Sequence, residues 1–368
     1  MMVSVQRINI DVQPQPYSAV IESGSIAKAG DLIGEVLPGR KGMFVITSAP
    51  IRKLLGETLG EALKGFDVAF LEIPDGERFK TVKTVEGLLR KLSNKGADRK
   101  SVVVALGGGV VGDISGFAAS IYMRGVEVIQ IPTTLLAQVD ASIGGKTGVD
   151  LPEGKNLVGT FHHPRLVLID PGVLDTLPDR EFRAGLYEVL KCGLIRRPEI
   201  FEFMEQHRER ILQRDKEALE WLITSAVRVK AEVVAADERE GDLRRILNLG
   251  HTIGHALEAE TRYKHFLHGE AVAWGMVAAS MISVAMQKTQ GETARRIIST
   301  VLAYASLPKV EPHGKRIVKR LAADKKTVNG VVHFVLPTEL GKVEIANDVP
   351  ERAVIQAVEE LRYLSQSV

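Results

Sequence analysis

Two histidines four residues apart, His251 and His255, lie in the run Asn248-Leu249-Gly250-His251-Thr252-Ile253-Gly254-His255. On a helix that spacing puts both on one face. His268 follows in His268-Gly269-Glu270, where another helical pattern starts, and Glu188 stands among Leu186, Val189 and Leu190. A carboxylate in such company is either half-buried or poised for chemistry. Neutral imidazoles with one carboxylate are the ligand set of a catalytic zinc that keeps a position open for substrate. The plainer alternative is three polar histidines at helix starts; their closeness in sequence, among glycines, favours metal. Spacing nominates His251 and His255 as a pair, as in H-x-x-x-H zinc helices, but does not show which of the three is not a ligand.

A second constellation is built on glycine. Gly107, Gly109 and Gly112 satisfy G-x-G-x-x-G after an apolar strand pattern and before a helical one. Such a turn lets the backbone approach a pyrophosphate while a helix N-terminus offers free N–H groups. The usual fingerprint opens the first strand-helix unit and has an acid after the next strand. Here the loop arrives after a hundred residues and the next strand runs into Gln130-Ile131-Pro132. A phosphate cradle in a non-standard dinucleotide fold is therefore favoured over a merely structural turn.

Cations are scattered through short motifs: Arg124, Lys146, Lys155 beside Asn156, Lys191, Lys230, Arg244 and the pair Lys325-Lys326. Lys146 and Lys155 flank glycine-bearing turns, where a small anion reaches both backbone N–H groups and an ammonium. Lys230 and Arg244 read equally well as solvated helix residues. Asp140 could be a simple turn cap. The chain holds 48 basic and 46 acidic residues, a net charge of +2. That balance argues against nucleic-acid binding, which wants a basic face. Any cluster of these cations would then be a specific site for phosphate or carboxylate.

The elements that must position these residues fall into two patterns. Up to about residue 175, β-branched runs (43–47, 68–73, 101–106, 126–131 and 166–169) alternate with helical stretches such as 84–94. This predicts a mostly parallel sheet with helices on both faces, a Rossmann-like α/β domain over residues 1–176. After Pro178 long helical patterns dominate (179–194, 198–214, 216–237, 251–260 and 268–288), which predicts a mainly helical metal- and substrate-binding domain over 177–368. Two late β-like runs, 331–336 and 342–345, suggest a hairpin. The longest apolar run, Ala271 to Met286, is too short for a membrane span and contains two serines, so it reads as a buried helix. One cysteine, Cys192, excludes an internal disulfide and reads as a packed residue, and the first residues lack a signal peptide's apolar stretch. A cytoplasmic enzyme with no membrane partner is expected, with its chemistry in a cleft between domains.

Taken together, several strings resemble the 3-dehydroquinate synthase family: PDGERFK (74–80), GGGVVGD (107–113), YMRG (122–125), PTTLLAQVDASIGGKTGVD (132–150) and GKNLVGTF (154–161). TLPDREFRAGLYEVLKCGLI (176–195), KAEVVAADEREGDLRRILNLGHTIGHALE (230–258), HGEAVAWGM (268–276) and DKK (324–326) extend the resemblance over nearly the whole chain. It implies that Glu188, His251 and His268 bind a divalent metal, usually zinc or cobalt, with His255 an active-site residue and not a ligand. It implies NAD contacts from Asp75, Gly76, Glu77 and Lys80, from Gly109, Val110, Val111, Gly112 and Asp113, and from Thr133 and Thr134. Val173, Leu174, Asp175 and Thr176 would complete that site, while Lys146 and Lys155 would neighbour both cofactor and substrate. Arg124, Asp140, Asn156, Lys191, Lys230, Arg244, Asn248 and one of Lys325 or Lys326 would surround the substrate, Arg124 reaching across a homodimer. Tyr187, Cys192 and Trp274 depart from commoner residues without removing any of these groups.

The reaction so implied converts 3-deoxy-D-arabino-heptulosonate 7-phosphate into 3-dehydroquinate and phosphate. Transient oxidation by NAD, metal-assisted phosphate elimination, re-reduction, ring opening and aldol closure follow one another at one site. A valiolone- or inosose-type cyclase would differ around the substrate carboxylate, where Lys230, Arg244 and Asn248 match the dehydroquinate pattern. A polyol dehydrogenase would release NADH, and an inactive binding protein would have lost charges that are all present here.

Overall fold

The computed structural model describes residues 5–324 and 332–367. Lys325 and Lys326 therefore lie outside the described residues. The chain sorts into two compact units. The first runs through Leu177 and takes in Leu219–Ala235, a segment that a single cut at 176 would assign to the second.

In the first unit nine strands form in order: β1 (Gln6–Ile10), β2 (Tyr17–Ile21), β3 (Gly42–Ser48), β4 (Asp67–Ile73) and β5 (Val102–Gly107), then β6 (Glu127–Pro132), β7 (Lys146–Leu151), β8 (Gly154–Phe161) and β9 (Leu166–Ile169). Seven of them make one sheet in the order β1-β2-β9-β6-β5-β3-β4, parallel throughout except for the antiparallel β1–β2 pair. The central parallel strands β3, β5 and β9 are near-continuous buried apolar runs, as burial on both faces requires. Along β3, Met43 and Val45 face one core with Val104, Leu106 and Ile131, and Phe44 and Ile46 face the other with Leu71, Ile114 and Phe117. The helices α1 (Ala29–Val36), α2 (Ala49–Ala62), α3 (Val82–Asn94) and α4 (Gly109–Ile121) alternate with the strands.

Strands β7 and β8 pair as a separate antiparallel hairpin. Gly148 stands opposite Gly159 in its register, and a Cβ on Gly148 would lie 2.7 Å from the Val158 carbonyl oxygen. The glycines that hide these strands from propensity thus let the two backbones close up.

The second unit is helical: α5 (Asp179–Ile195), α6 (Pro198–Gln206) and α7 (Arg208–Leu212) precede α8 (Lys216–Ala236), whose middle belongs to the first unit. The helix expected over 198–214 breaks at His207, whose φ of −114° is not helical. Glu220 of α8 accepts hydrogen bonds from the Ser23 N–H (3.2 Å) and hydroxyl (2.5 Å), which ties the segment to the turn after β2. Then come α9 (His251–Glu260), α10 (His268–Ala285), α11 (Gly291–Ala303) and α12 (Gly314–Asp324), the hairpin of β10 (Phe334–Glu339) and β11 (Lys342–Ala346), and α13 (Glu351–Ser367). The apolar run from Ala271 is the buried body of α10, and no helix among the described residues is long and apolar enough to cross a membrane. Tyr187, Cys192 and Trp274 are all buried, the Trp274 indole donating to the Pro308 carbonyl at 2.9 Å.

Candidate active site

In the second unit, three helices bring four side chains to one place. Glu188 of α5, His251 and His255 of α9, and His268 of α10 meet, with ring centroids 5.1 to 5.6 Å apart. One nitrogen of each imidazole lies within 4.8 Å of the others. Nε2 of His251 and Nε2 of His268 stand 3.8 and 3.7 Å from the same oxygen of Glu188, Oε1. Burial, then the Lys191 ammonium and the other two rings, hold His251 well below the usual imidazole range. It is therefore a neutral donor near pH 7, as a metal ligand must be.

Glycine explains why helices can converge so tightly. Gly250 caps α9 at φ 81°, and a Cβ there would lie 2.6 Å from the Val272 carbonyl oxygen. A Cβ on Gly275 would run into the Gly250 carbonyl, and one on Gly269 into that of Ala184. Backbone thus lies on backbone between α9 and α10 and between α10 and α5. Gly275→Ala is expected to cost about 3 kcal/mol, the upper end for overpacking. Gly34→Ala in α1, with nothing within 4 Å of the new Cβ, is expected to stabilise by up to about 1 kcal/mol. Thermal melts of both variants check the contrast; equal effects would show that the helix contact tolerates a methyl group.

In the first unit, β5 ends at Gly107 and α4 starts at Gly109. Its glycines serve packing as well as access: a Cβ on Gly107 would lie 2.6 Å from Val111 Cγ2, and one on Gly112 2.8 Å from Gln130 Oε1. The Thr133 N–H donates to the Gly107 carbonyl (3.0 Å), and the Thr134 hydroxyl accepts from the Ala137 N–H (3.2 Å). At the first turns of α4, Asp113 pairs with Lys80 at 2.5 Å, and Lys80 also donates to Asn156 Oδ1 at 2.6 Å. Burial raises the Asp113 carboxyl to about 6, against the pull of Lys80. Burial opposes the Lys80 ammonium, but Asp113, Glu77 and Asp150 outweigh it and leave its pKa raised. Asp75, Gly76 and Glu77 are exposed on the turn after β4, and Lys155 lies 3.5 Å from Glu77. Lys146 opens β7 beside Gly145, while Val173 to Thr176 lie in a 3-10 turn, Pro171–Thr176, capped by Asp170.

Asp140 lies in a π-helical turn, Ala137–Ala141, and receives Lys230 on its carboxylate and, at 2.7 Å, on its carbonyl. Lys230 is buried and paired, not the solvated helix residue that its sequence equally allows. Arg244 is buried as well, donating to the Glu238 carbonyl at 2.5 Å. Arg124, by contrast, is exposed in a left-handed turn (φ 71°). No motif read from the sequence singles out Asp237 and Glu240, which brace the loop that carries Arg244. Asp237 accepts from the N–H groups of Gly241, Asp242 and Arg244, and Glu240 from the Asn248 side chain at 3.1 Å. The Arg244 N–H leads the bonds that hold the Asp237 carboxyl below its ordinary range, against burial. The run Asp237 to Gly241 is the signal that could have exposed this brace.

Fold and site define an enzyme of a two-part kind, with a nucleotide-type glycine turn in one unit and a metal-type cluster in the other. Among solved structures, the chain is similar to the 2-epi-5-epi-valiolone synthase ValA of Streptomyces hygroscopicus subsp. jinggangensis 5008, solved with NAD+ and Zn2+ bound: 32% identity, TM-score 0.87, covering 96% of this chain and 98% of that one. It is also similar to a 2-deoxy-scyllo-inosose synthase complexed with carbaglucose-6-phosphate, NAD+ and Co2+, at 25% identity and TM-score 0.82 over 96% and 99% of the two chains. The families 3-dehydroquinate synthase N-terminal and C-terminal match residues 70–184 and 185–327. A 3-dehydroquinate synthase of Koribacter versatilis (strain Ellin345) is 60% identical over 363 residues, 98% of this chain and 99% of the relative. The chain belongs to the 3-dehydroquinate synthase family.

Proposed function

We infer that the protein converts 3-deoxy-D-arabino-heptulosonate 7-phosphate into 3-dehydroquinate and phosphate, using NAD and a divalent metal. The observation that carries the reading is the meeting of Glu188, His251 and His268 in a chain of this family. These residues fit a metal: both Glu188 oxygens are buried without a well-formed hydrogen bond, although Lys191 lies in ionic contact with Oε2. Nδ1 of His251 faces the Leu249 carbonyl at 3.2 Å, which turns its other nitrogen toward Glu188. Glu188, His251 and His268 are accordingly assigned as ligands, and His255 as a neighbour that contacts substrate. When bound, a divalent ion supplies Lewis-acid polarisation of substrate hydroxyls, and NAD takes up and returns a hydride.

The chain's own residues supply position and charge. The α4 N-terminus, Thr133, Thr134 and the turn at Asp75 to Glu77 are assigned to the dinucleotide, with Lys80 held between Asp113 and Asn156. Lys146, Lys155, Lys230 and Arg244 are assigned to the phosphate and carboxylate of substrate, with Asp140, Lys191 and Asn248 beside them. Fixing a flexible seven-carbon chain between such anchors is worth about 7–11 kcal/mol in favourable intramolecular reactions. The same reading makes the active form a cytoplasmic homodimer in which exposed Arg124 serves the neighbouring subunit.

Purified protein given the heptulosonate phosphate, NAD and zinc is expected to release phosphate and 3-dehydroquinate together, with no net NADH. Sedimentation of the same preparation is expected to show a dimer. Turnover only with a substrate lacking the carboxylate would overturn the substrate assignment, and stoichiometric NADH would point to a dehydrogenase.

A further inference from the structure

The ring of His268 is addressed at both nitrogens. Nε2 stands 3.7 Å from Glu188, and Nδ1 faces Oε2 of Glu258 at 3.3 Å. Glu258 belongs to α9, three residues beyond His255 and seven beyond His251, so the three share one helical face. Its side chain is only 4% exposed. Carboxylates are almost never buried that deeply unless paired. The position is unfavourable on a second count, since a negative charge in a helix's last turn opposes the macrodipole. The neighbouring Glu260 is covered by the guanidinium groups of Arg316 and Arg320. Glu258 instead faces an imidazole across the contact of α9 with α10.

An imidazole whose Nδ1–H is taken by a carboxylate is fixed in one tautomer, with the lone pair on Nε2 and the ring plane set. Ligating histidines are commonly supported in this way, and the support also makes the ring a better donor. Resting on the metal reading above, we propose that Glu258 is a positioning residue that orients His268 and tightens the hold on the divalent ion. His251 has the Leu249 backbone carbonyl in the equivalent place, so the two imidazoles are supported by different groups. Glu258 stands outside the assigned ligand set, behind His268. Its effect passes through His268.

The test is zinc affinity of the whole protein, read by competition with a chromophoric chelator, beside the melting temperature of the metal-free protein. Glu258→Ala is expected to weaken zinc binding about 10–100-fold. Glu258→Gln keeps an acceptor oxygen but loses the charge, so a smaller, several-fold loss is expected, with a metal-free melt close to that of the unaltered protein. If Glu258→Ala does not fold, the glutamine variant carries the test. Unchanged zinc affinity in a folded Glu258 variant would overturn the proposal, and a lowered metal-free melt with unchanged affinity would reduce Glu258 to packing. His251→Ala separates the two readings. If it loses zinc while the Glu258 variants do not, the metal reading stands and this one falls; if it too binds zinc normally, both fall.

Discussion

Glutamine in place of Glu188 is expected to cut turnover about a thousandfold or more, because several kcal/mol of Lewis-acid stabilisation are at stake and each 1.4 kcal/mol is tenfold. The same change is expected to lower the stability of the metal-free protein. Lys191 lies one helical turn from Glu188, is 2% exposed and sits in ionic contact with Oε2. Removing one member of a buried pair costs about 3–5 kcal/mol, since the other charge is left stranded. The glutamine amide oxygen still offers Lys191 an acceptor, so the lower end, about 3 kcal/mol, is expected.

The two losses have different causes and should separate. Adding Lys191→Met to Glu188→Gln removes the ammonium that has lost its carboxylate and is expected to recover part of the melting temperature, but none of the zinc affinity. Phosphate release, chelator competition and metal-free melts of the three proteins decide the matter. Tight zinc binding by Glu188→Gln would remove Glu188 from the ligand set. A double variant no more stable than the single would show that the pair is not what glutamine breaks.

The parallel sheet is legible because strands buried on both faces need near-continuous apolar runs, and β3, β5 and β9 have them, while Gln130 interrupts β6 and Glu72 interrupts the edge strand β4. The edge and the hairpin are harder to read. In β1 burial alternates, so only every second residue is apolar enough to signal, and β7–β8 depend on Gly148 and Gly159, which weaken any strand signal. The site is legible as residue types in short motifs and illegible as geometry. His251 and His255 announce each other by helical spacing, whereas the approach of His268 and Glu188 depends on backbone contacts at Gly250, Gly269 and Gly275. Those glycines look like weak points in helical patterns until their neighbours are known. Long-range pairing is the other blind spot: neither the Lys230–Asp140 contact nor the burial of Arg244 can be inferred from local composition.

Lys80 is the clearest such case, and Lys80→Met is expected to destabilise the protein in a pH-dependent way. Its ammonium is the counter-charge of Asp113, whose carboxyl is already raised to about 6 by burial. An acid with a folded pKa above its unfolded one binds more protons when folded. Its contribution to stability is full below about pH 4 and declines as pH rises toward the folded pKa. Without Lys80 the folded pKa must climb beyond 6, and the decline extends to higher pH. Lys80 itself, with a raised pKa, stays charged throughout this window, so it adds no slope of its own. The deficit of Lys80→Met is thus expected to be small at pH 5 and to approach about 2 kcal/mol at pH 8, below the about 3–5 kcal/mol of a fully buried pair because the Asp113 side chain is 21% exposed. Adding Asp113→Asn should flatten it, because the group that titrates is gone. Melting temperatures at pH 5, 6.5 and 8 test this directly. A deficit that is constant with pH would mean that Lys80 matters mainly through its bond to Asn156 and the hairpin. One that grows toward acid would mean that burial does not raise Asp113. The expected slope would instead mark this pair as an electrostatic latch at the start of α4, where the dinucleotide is proposed to bind.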